Sequence, residues 1–173
     1  AFANCTKLSN IALPVSLESI GIYAFMECES ITSIVVPENI TSLEGTFYYC
    51  DNLAEVTLPS QLLTIGNSVF RHCIKLTEIT IPSTVKTIDA LAFNDCVSLN
   101  NVVLPEGLET IGEFSFQGCE SLTSIEIPSP VTKINNSVFS GCISLTNVVL
   151  PDNIIFIGSE AFINVPINEI NLK

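Results

Sequence analysis

Seven thiols in a chain of 173 residues invite redox or metal chemistry. Cys5, Cys28, Cys50, Cys73, Cys96, Cys119 and Cys142 follow one another at steps of 23, 22, 23, 23, 23 and 23 residues. Neither metal sites nor disulfide frameworks place one cysteine at each equal interval, and no Cys-x-x-Cys occurs. In stacked copies the Cα atoms would lie about 5 Å apart, within disulfide range, but parallel side chains pointing one way do not meet the bond's geometry. The odd count also argues against full pairing. The expected state is free, buried thiols packed as small hydrophobes.

The other reactive types are sparse. His72 is the single histidine, set between Arg71 and Cys73 on a connecting segment. A catalytic triad, a Cys–His pair or a His-rich metal site needs partners that the chain does not supply there. No glycine loop of a phosphate-binding type occurs. Glu55 and Glu78 share one repeat position in consecutive copies, so they could share a proton or hold a cation, with Asn101 as the only further oxygen donor. Solvated surface acids are the plainer reading of that pair. No catalysis, cofactor or metal is expected.

The cysteines instead report register, because self-similarity at a period of 20–50 residues marks a repeat architecture. Aligned on them, apolar columns appear six and eight residues on, as at Ile79 and Ile81 or Val102 and Leu104, each pair followed by proline. Phe2, Phe25, Phe47, Phe70, Phe93, Phe116 and Phe139 stand three before each cysteine, and Phe162 continues the series. The Leu-x-x-Ile-x-Ile-Pro segment alternates with period two, as a short strand does, and proline ends it for want of an N–H. Stacked copies place these strands side by side and parallel, about 4.8 Å apart, so that about seven and a half coils make a rod on the order of 35 Å long. The segment before each phenylalanine is too short for a full helix. It predicts a brief extended piece and a single helical or 3₁₀ turn on the convex side. Gly21, Gly66, Gly112 and Gly158 occupy a column read as left-handed, with Asp89 and Asn135 as the usual substitutes.

These columns describe a single right-handed leucine-rich repeat solenoid over residues 1–173, with parallel β-sheet on the concave side. Units such as Cys119-Glu-Ser-Leu-Thr-Ser-Ile-Glu-Ile-Pro128 and Ile111-Gly-Glu-Phe-Ser-Phe116 resemble the BspA-like, or Treponema pallidum type, leucine-rich repeats. The resemblance covers essentially the whole chain. It implies a non-catalytic protein-binding module of a cell-surface or secreted, adhesin-like protein that meets host cells, extracellular matrix or other microbes. An intracellular, cytoplasmic scaffold or sensor on the same solenoid is the alternative, and free thiols suit a reducing compartment.

Charge and hydropathy narrow the partners. Eighteen acidic against six basic residues give a net charge of −12, which repels nucleic acid and anionic lipid heads. No apolar run approaches the roughly 18 residues of a membrane helix. A protein partner remains. Its expected site is the outward face of the sheet, five and seven residues after each cysteine: Ser33, Val35, Glu55, Thr57, Glu78, Thr80, Asn101, Val103, Ser124 and Glu126. Their strand propensity alone would also account for these residues. A second spot gathers Tyr48 and Tyr49 with Arg71 and His72 beside the one coil that is a residue short.

The ends are expected to be those of a fragment. The chain opens on Ala1-Phe2-Ala3-Asn4-Cys5, the tail of a unit, and an uncapped first coil would favour end-to-end association. After Phe162 a valine, Val165, replaces the cysteine, and Ile170 and Leu172 form a last strand with Lys173 in the proline slot.

Overall fold

The computed structural model describes residues Ala1–Lys173. Its strands are β1 (Ser33–Val35), β2 (Ser42–Leu43), β3 (Glu55–Thr57), β4 (Thr64–Ile65), β5 (Glu78–Thr80), β6 (Thr87–Ile88) and β7 (Asn101–Val103). They continue with β8 (Thr110–Ile111), β9 (Ser124–Glu126), β10 (Lys133–Ile134), β11 (Asn147–Leu150), β12 (Phe156–Ile157) and β13 (Glu169–Leu172). The odd-numbered strands stack along one side of a parallel β-solenoid and the even-numbered ones along a second. Register follows the repeat: Ile34 faces Val56, Ile79 faces Val102 and Ile125 faces Val148. The last coil keeps step despite its altered sequence, with Ile170 opposite Val148 and Leu172 opposite Leu150.

Each coil is held to its neighbours by backbone bonds that run both ways. On the turn side, Phe25 N–H donates forward to Thr46 O at 3.0 Å, Phe47 to Val69 O at 2.9 Å and Phe70 to Ala92 O at 2.9 Å. Intervening residues close turns within their own coil, as Cys73 N–H does to Phe70 O at 3.0 Å. Beside the even strands the direction reverses: Asp89 N–H donates back to Ile65 O at 2.8 Å and Gly112 N–H to Ile88 O at 2.8 Å, while the odd-strand side donates both ways, as Val36 N–H does forward to Thr57 O at 3.0 Å. Nearly every turn-side donor is therefore committed before a helix could use it.

That commitment corrects the expected helical turn. The convex side is built of turns, with neither α-helix nor 3₁₀-helix. Left-handed residues stand one and five before each cysteine, such as Ser68 and His72 (φ 54 and 62) or Leu91 and Asp95 (φ 60 and 57). Two such reversals per coil forbid an i→i−4 run. The glycine column is corrected too, since Gly21, Gly66, Gly112 and Gly158 are not left-handed. Gly66 and Gly112 are narrow for another reason: a Cβ would lie 2.1 Å from Leu43 O in one and 2.4 Å from Ala90 N in the other. Asp89 and Asn135 fill the same column with side chains, so the constraint is local crowding and not backbone conformation.

The strand ladders are segmented. The odd strands pair as β1–β3, β5–β7 and β9–β11–β13, and the even strands as β2–β4–β6–β8 and β10–β12. Between the coil of β7 and β8 and the coil of β9 and β10, neither ladder pairs, although the strands adjoin. At that junction the Asn135 side-chain amide donates to Ile111 O at 2.6 Å, in place of the backbone N–H used by Asp89 and Gly112.

Inside the rod the phenylalanines form one continuous stack. Phe47, Phe70, Phe93, Phe116 and Phe139 are fully buried, and successive ring centroids from Phe2 to Phe162 lie 5.2 to 5.8 Å apart with planes within 16°. Such offset-stacked contacts add about 0.5–1.5 kcal/mol each beyond the area they bury. Beside them run the cysteines, free and buried except for the exposed Cys5. Each buried thiol donates to the phenylalanine carbonyl of the coil before: Cys50 Sγ to Phe25 O at 3.1 Å, Cys73 to Phe47 O at 3.2 Å, Cys96 to Phe70 O at 3.0 Å and Cys142 to Phe116 O at 3.1 Å.

Burial pushes the thiols of Cys50 and Cys142 from an ordinary value of 9.0 up to about 12, and raises those of Cys73, Cys96 and Cys119 as well. The fold favours the neutral form. Its stability is therefore complete below pH 9, where both states hold the proton, and falls as the unfolded chain alone ionises between pH 9 and the folded value. Each such thiol contributes a loss of about 1.4 kcal/mol per pH unit in that window. Urea denaturation at pH 8 and pH 10 should show the drop, and Cys50→Ala with Cys142→Ala should reduce it. A thiol reagent at neutral pH should label Cys5 quickly and the other six only on unfolding.

A second expectation concerns Ser115, whose buried hydroxyl has no hydrogen-bond partner. It stands in a column that holds Ala24, Ala92 and Ala161 in some coils and Thr46, Val69 and Val138 in others, all buried. Ser115→Ala should raise stability by about 1 kcal/mol, because it removes an unsatisfied polar group without opening much volume. A lower melting temperature in the variant would contradict this.

Candidate functional site

The outward columns of the odd strands arise from the strand period. In β1, β5, β7 and β9 the central residue is buried and its two neighbours are exposed. Ser33, Val35, Glu55, Thr57, Glu78, Thr80, Asn101, Val103, Ser124 and Glu126 accordingly all face solvent. They form rows across the coils: Ser33 beside Glu55 and Val35 beside Thr57, then Glu78 beside Asn101 and Thr80 beside Val103. Two large apolar side chains stand unusually open, Val35 at 66% and Val103 at 71% exposure.

The face is not flat. A depression of about 710 Å³ spans the break between β3 and β5, lined by Glu55, Glu78, Thr80, Asn101, Val103 and Glu106 among others. A neighbouring one of about 260 Å³ includes Ser124, Glu126 and Lys173. Glu55, Glu78 and Asn101 therefore do meet in one groove. No group of three or more His, Cys, Asp or Glu side chains converges as a metal ion would require. Lys173 Nζ crosses two coils to bind the Glu126 carboxylate, and that contact raises the lysine's pKa.

Glu106 and Val56 belong to this groove and were not singled out from the sequence. Glu106 lies just past the proline that ends its strand, where the period-two pattern no longer says which way a side chain points. Val56 occupies an inward column, yet it is half-buried where its counterparts Ile79 and Val102 are buried.

The second predicted spot is a true cluster. Tyr48 and Tyr49 meet edge to face at 4.5 Å between centroids, and Tyr49 lies 4.3 Å from the His72 ring. The Arg71 guanidinium sits 5.3 Å from the centre of the Tyr48 ring. His72 Nδ1 is 3.2 Å from Asp51 Oδ1. Its ring turns away from its neighbour Cys73, which is fully buried, so the two do not form a nucleophile pair. Tyr23 joins the patch 6.2 Å from Tyr48. Tyr23 stands five before its cysteine and Tyr48 two before the next, so the column alignment does not pair them.

The sequence matches the family model described as the BspA type leucine rich repeat region, six copies, over residues 1–96 and 63–173. The chain belongs to this family. Among solved structures it is similar to a leucine rich repeat protein of T. pallidum, with 27% identity, a TM-score of 0.81, and coverage of 88% of this chain and 74% of that one. It is also similar to a leucine-rich repeat protein from Bacteroides ovatus, with 28% identity and a TM-score of 0.67, covering 94% of this chain and 54% of that one. A leucine rich cell surface protein from Faecalibacterium prausnitzii shares 25% identity with a TM-score of 0.71, over 99% of this chain and 56% of that one. The chain thus spans little more than half the length of the last two. No curated protein matches it. Leucine-rich repeats of this kind are generally protein-interaction modules, and BspA-type proteins are commonly surface-associated. No helix is long and apolar enough to cross a membrane.

The groove carries an electrostatic test of its own. Glu55 and Glu78 face each other across an open ladder, and like charges set side by side on a sheet are destabilising by about 0.2–1 kcal/mol. Glu78→Gln should raise the melting temperature at low salt, and the gain should vanish at 1 M salt, where screening reaches only about 3 Å. A gain that persists at high salt would show that packing, and not charge, is responsible.

Proposed function

We propose that the odd-strand face is the binding surface of a non-catalytic module in a surface-exposed, adhesin-like parent protein, and that its ligand is another protein. The observation that carries this reading is the open face itself: the exposed Val35 and Val103 stand on either side of the Glu55 and Glu78 carboxylates along a grooved ladder. Apolar anchors beside unpaired charges suit a partner carrying basic and apolar groups, possibilities a host-surface or matrix protein offers. Family membership and the cell-surface relative of F. prausnitzii support the location.

The test is binding of the purified chain to immobilised extracellular-matrix proteins and to cells, followed by variants. Glu55→Lys with Glu78→Lys should weaken a demonstrated interaction by about tenfold or more and reverse its response to salt. Val103→Asp should weaken it without moving the melting temperature appreciably. If neither change alters binding, this face is not the site.

A second reading, an intracellular interaction scaffold or sensor, is favoured by six buried cysteines that remain unpaired. Protease treatment of intact cells separates the two, since a surface parent is cleaved and an intracellular one is spared.

A further inference from the structure

All three tyrosines of the chain, its only arginine and its only histidine lie in one patch. Elsewhere the positions one and two before the cysteine hold Ala, Met, Asn, Glu, Gln, Asp, Ser or Gly, whereas the column of Tyr23 also holds Leu91 and Phe114. Register brings them together. Tyr48 and Arg71 stand two before the cysteine in neighbouring coils, and Tyr49 and His72 stand one before it. Tyr49 N–H donates to Arg71 O at 2.9 Å, which fixes the two coils' turns against each other.

The patch is supported from beneath. A Cβ on Gly45 would lie 2.2 Å from the Tyr23 ring. Backbone conformation alone does not demand glycine at that position, because Tyr23, Ser68, Leu91 and Ser137 hold the same left-handed φ in the same column. The glycine leaves room for the Tyr23 ring, which in turn stands against Tyr48.

Arg71 shows what the patch lacks. In a molecule of net charge −12, this single guanidinium makes no salt bridge and no side-chain hydrogen bond. It is held over a tyrosine ring with its donors unengaged, whereas His72 beside it already has Asp51. A guanidinium offers a planar fork of five N–H donors suited to a carboxylate. None of the grooves on the odd-strand face includes these residues, and small ligands are usually taken in concave sites. A convex patch of Tyr and Arg has instead the composition of a protein-docking hot spot.

We propose that Tyr23, Tyr48, Tyr49, Arg71 and His72 form a second docking site, distinct from the odd-strand face, which receives a carboxylate-bearing segment of a protein partner on Arg71 with an apolar side chain against the tyrosines. The two sites then differ in sign. The odd-strand face draws basic groups, and this patch draws an acidic one.

Random peptides displayed on phage, panned on the intact chain with the Arg71→Gln variant as counter-selection, provide the probe. Retained peptides should be enriched in Asp or Glu next to aromatic residues or proline. Measured by fluorescence anisotropy as synthetic peptides, they should bind Arg71→Gln and Tyr49→Ala about tenfold or more weakly. Arg71→Lys should not restore binding, because a point charge lacks the fork, and Glu78→Gln should leave it unchanged. Melting curves of Arg71→Gln and Arg71→Lys close to that of the parent chain place any loss in recognition and not in folding. Recovery of no discriminating peptide, recovery of peptides without acidic enrichment, or equal loss in Glu78→Gln would each overturn the proposal.

Discussion

The structure depends on the two-way exchange of backbone hydrogen bonds between coils. A solitary coil would leave its turn-side N–H groups and its strand-side carbonyls unsatisfied, and buried polar groups without partners are costly. Stacking supplies both at once, with forward donation on the turn side, backward donation beside the even strands and donation both ways along the odd strands. The left-handed residues follow from this. Each costs on the order of 1 kcal/mol for a residue with a side chain, and two per coil are tolerated because they aim alternate N–H groups at the next coil.

The phenylalanine and cysteine columns are two halves of one device. From Phe25 to Phe116 each buried phenylalanine carbonyl receives the cysteine N–H of its own coil and the cysteine S–H of the next, as Phe70 does from Cys73 at 3.0 Å and from Cys96 at 3.0 Å. A carbonyl has two lone pairs to satisfy, and a small, weakly donating side chain fits between the ring stack and the turn. Alanine would leave one lone pair unused, and serine would place a more strongly hydrated hydroxyl in the core. The regular thiols are explained by packing together with this bond, without redox or metal chemistry.

Most of the architecture was legible because stacking makes one column of sequence into one line of contacts. The Phe2-to-Phe162 stack, the buried cysteines and the outward columns through Glu55, Glu78 and Val103 follow from counting residues. The turn geometry was not legible, since a left-handed position here is filled by Tyr, Leu, Phe or Glu as readily as by glycine. Glycine content pointed instead to the column of Gly66 and Gly112, where close approach to the previous coil is the constraint. At the candidate sites, Tyr48 with Arg71 and Tyr49 with His72 could be paired by column. Asp51, Tyr23 and Glu106 could not, because they enter through side-chain reach across coils or past a strand end. The breaks in the ladders also escaped, as no residue type marks them.

Where β7 meets β9 and β8 meets β10, both strand ladders are open at the same level of the rod, and the strand side is bridged by the amide of Asn135. The turn side remains stitched there by Phe114, Phe116 and Gly118, which donate to Asn136, Val138 and Ser140. That junction is thus held by its turn-side bonds, by Ser121 N–H on Val97 O at 3.1 Å and by the Asn135 amide, with the phenylalanine stack running through it unbroken and the groove beside Glu126 lying across it.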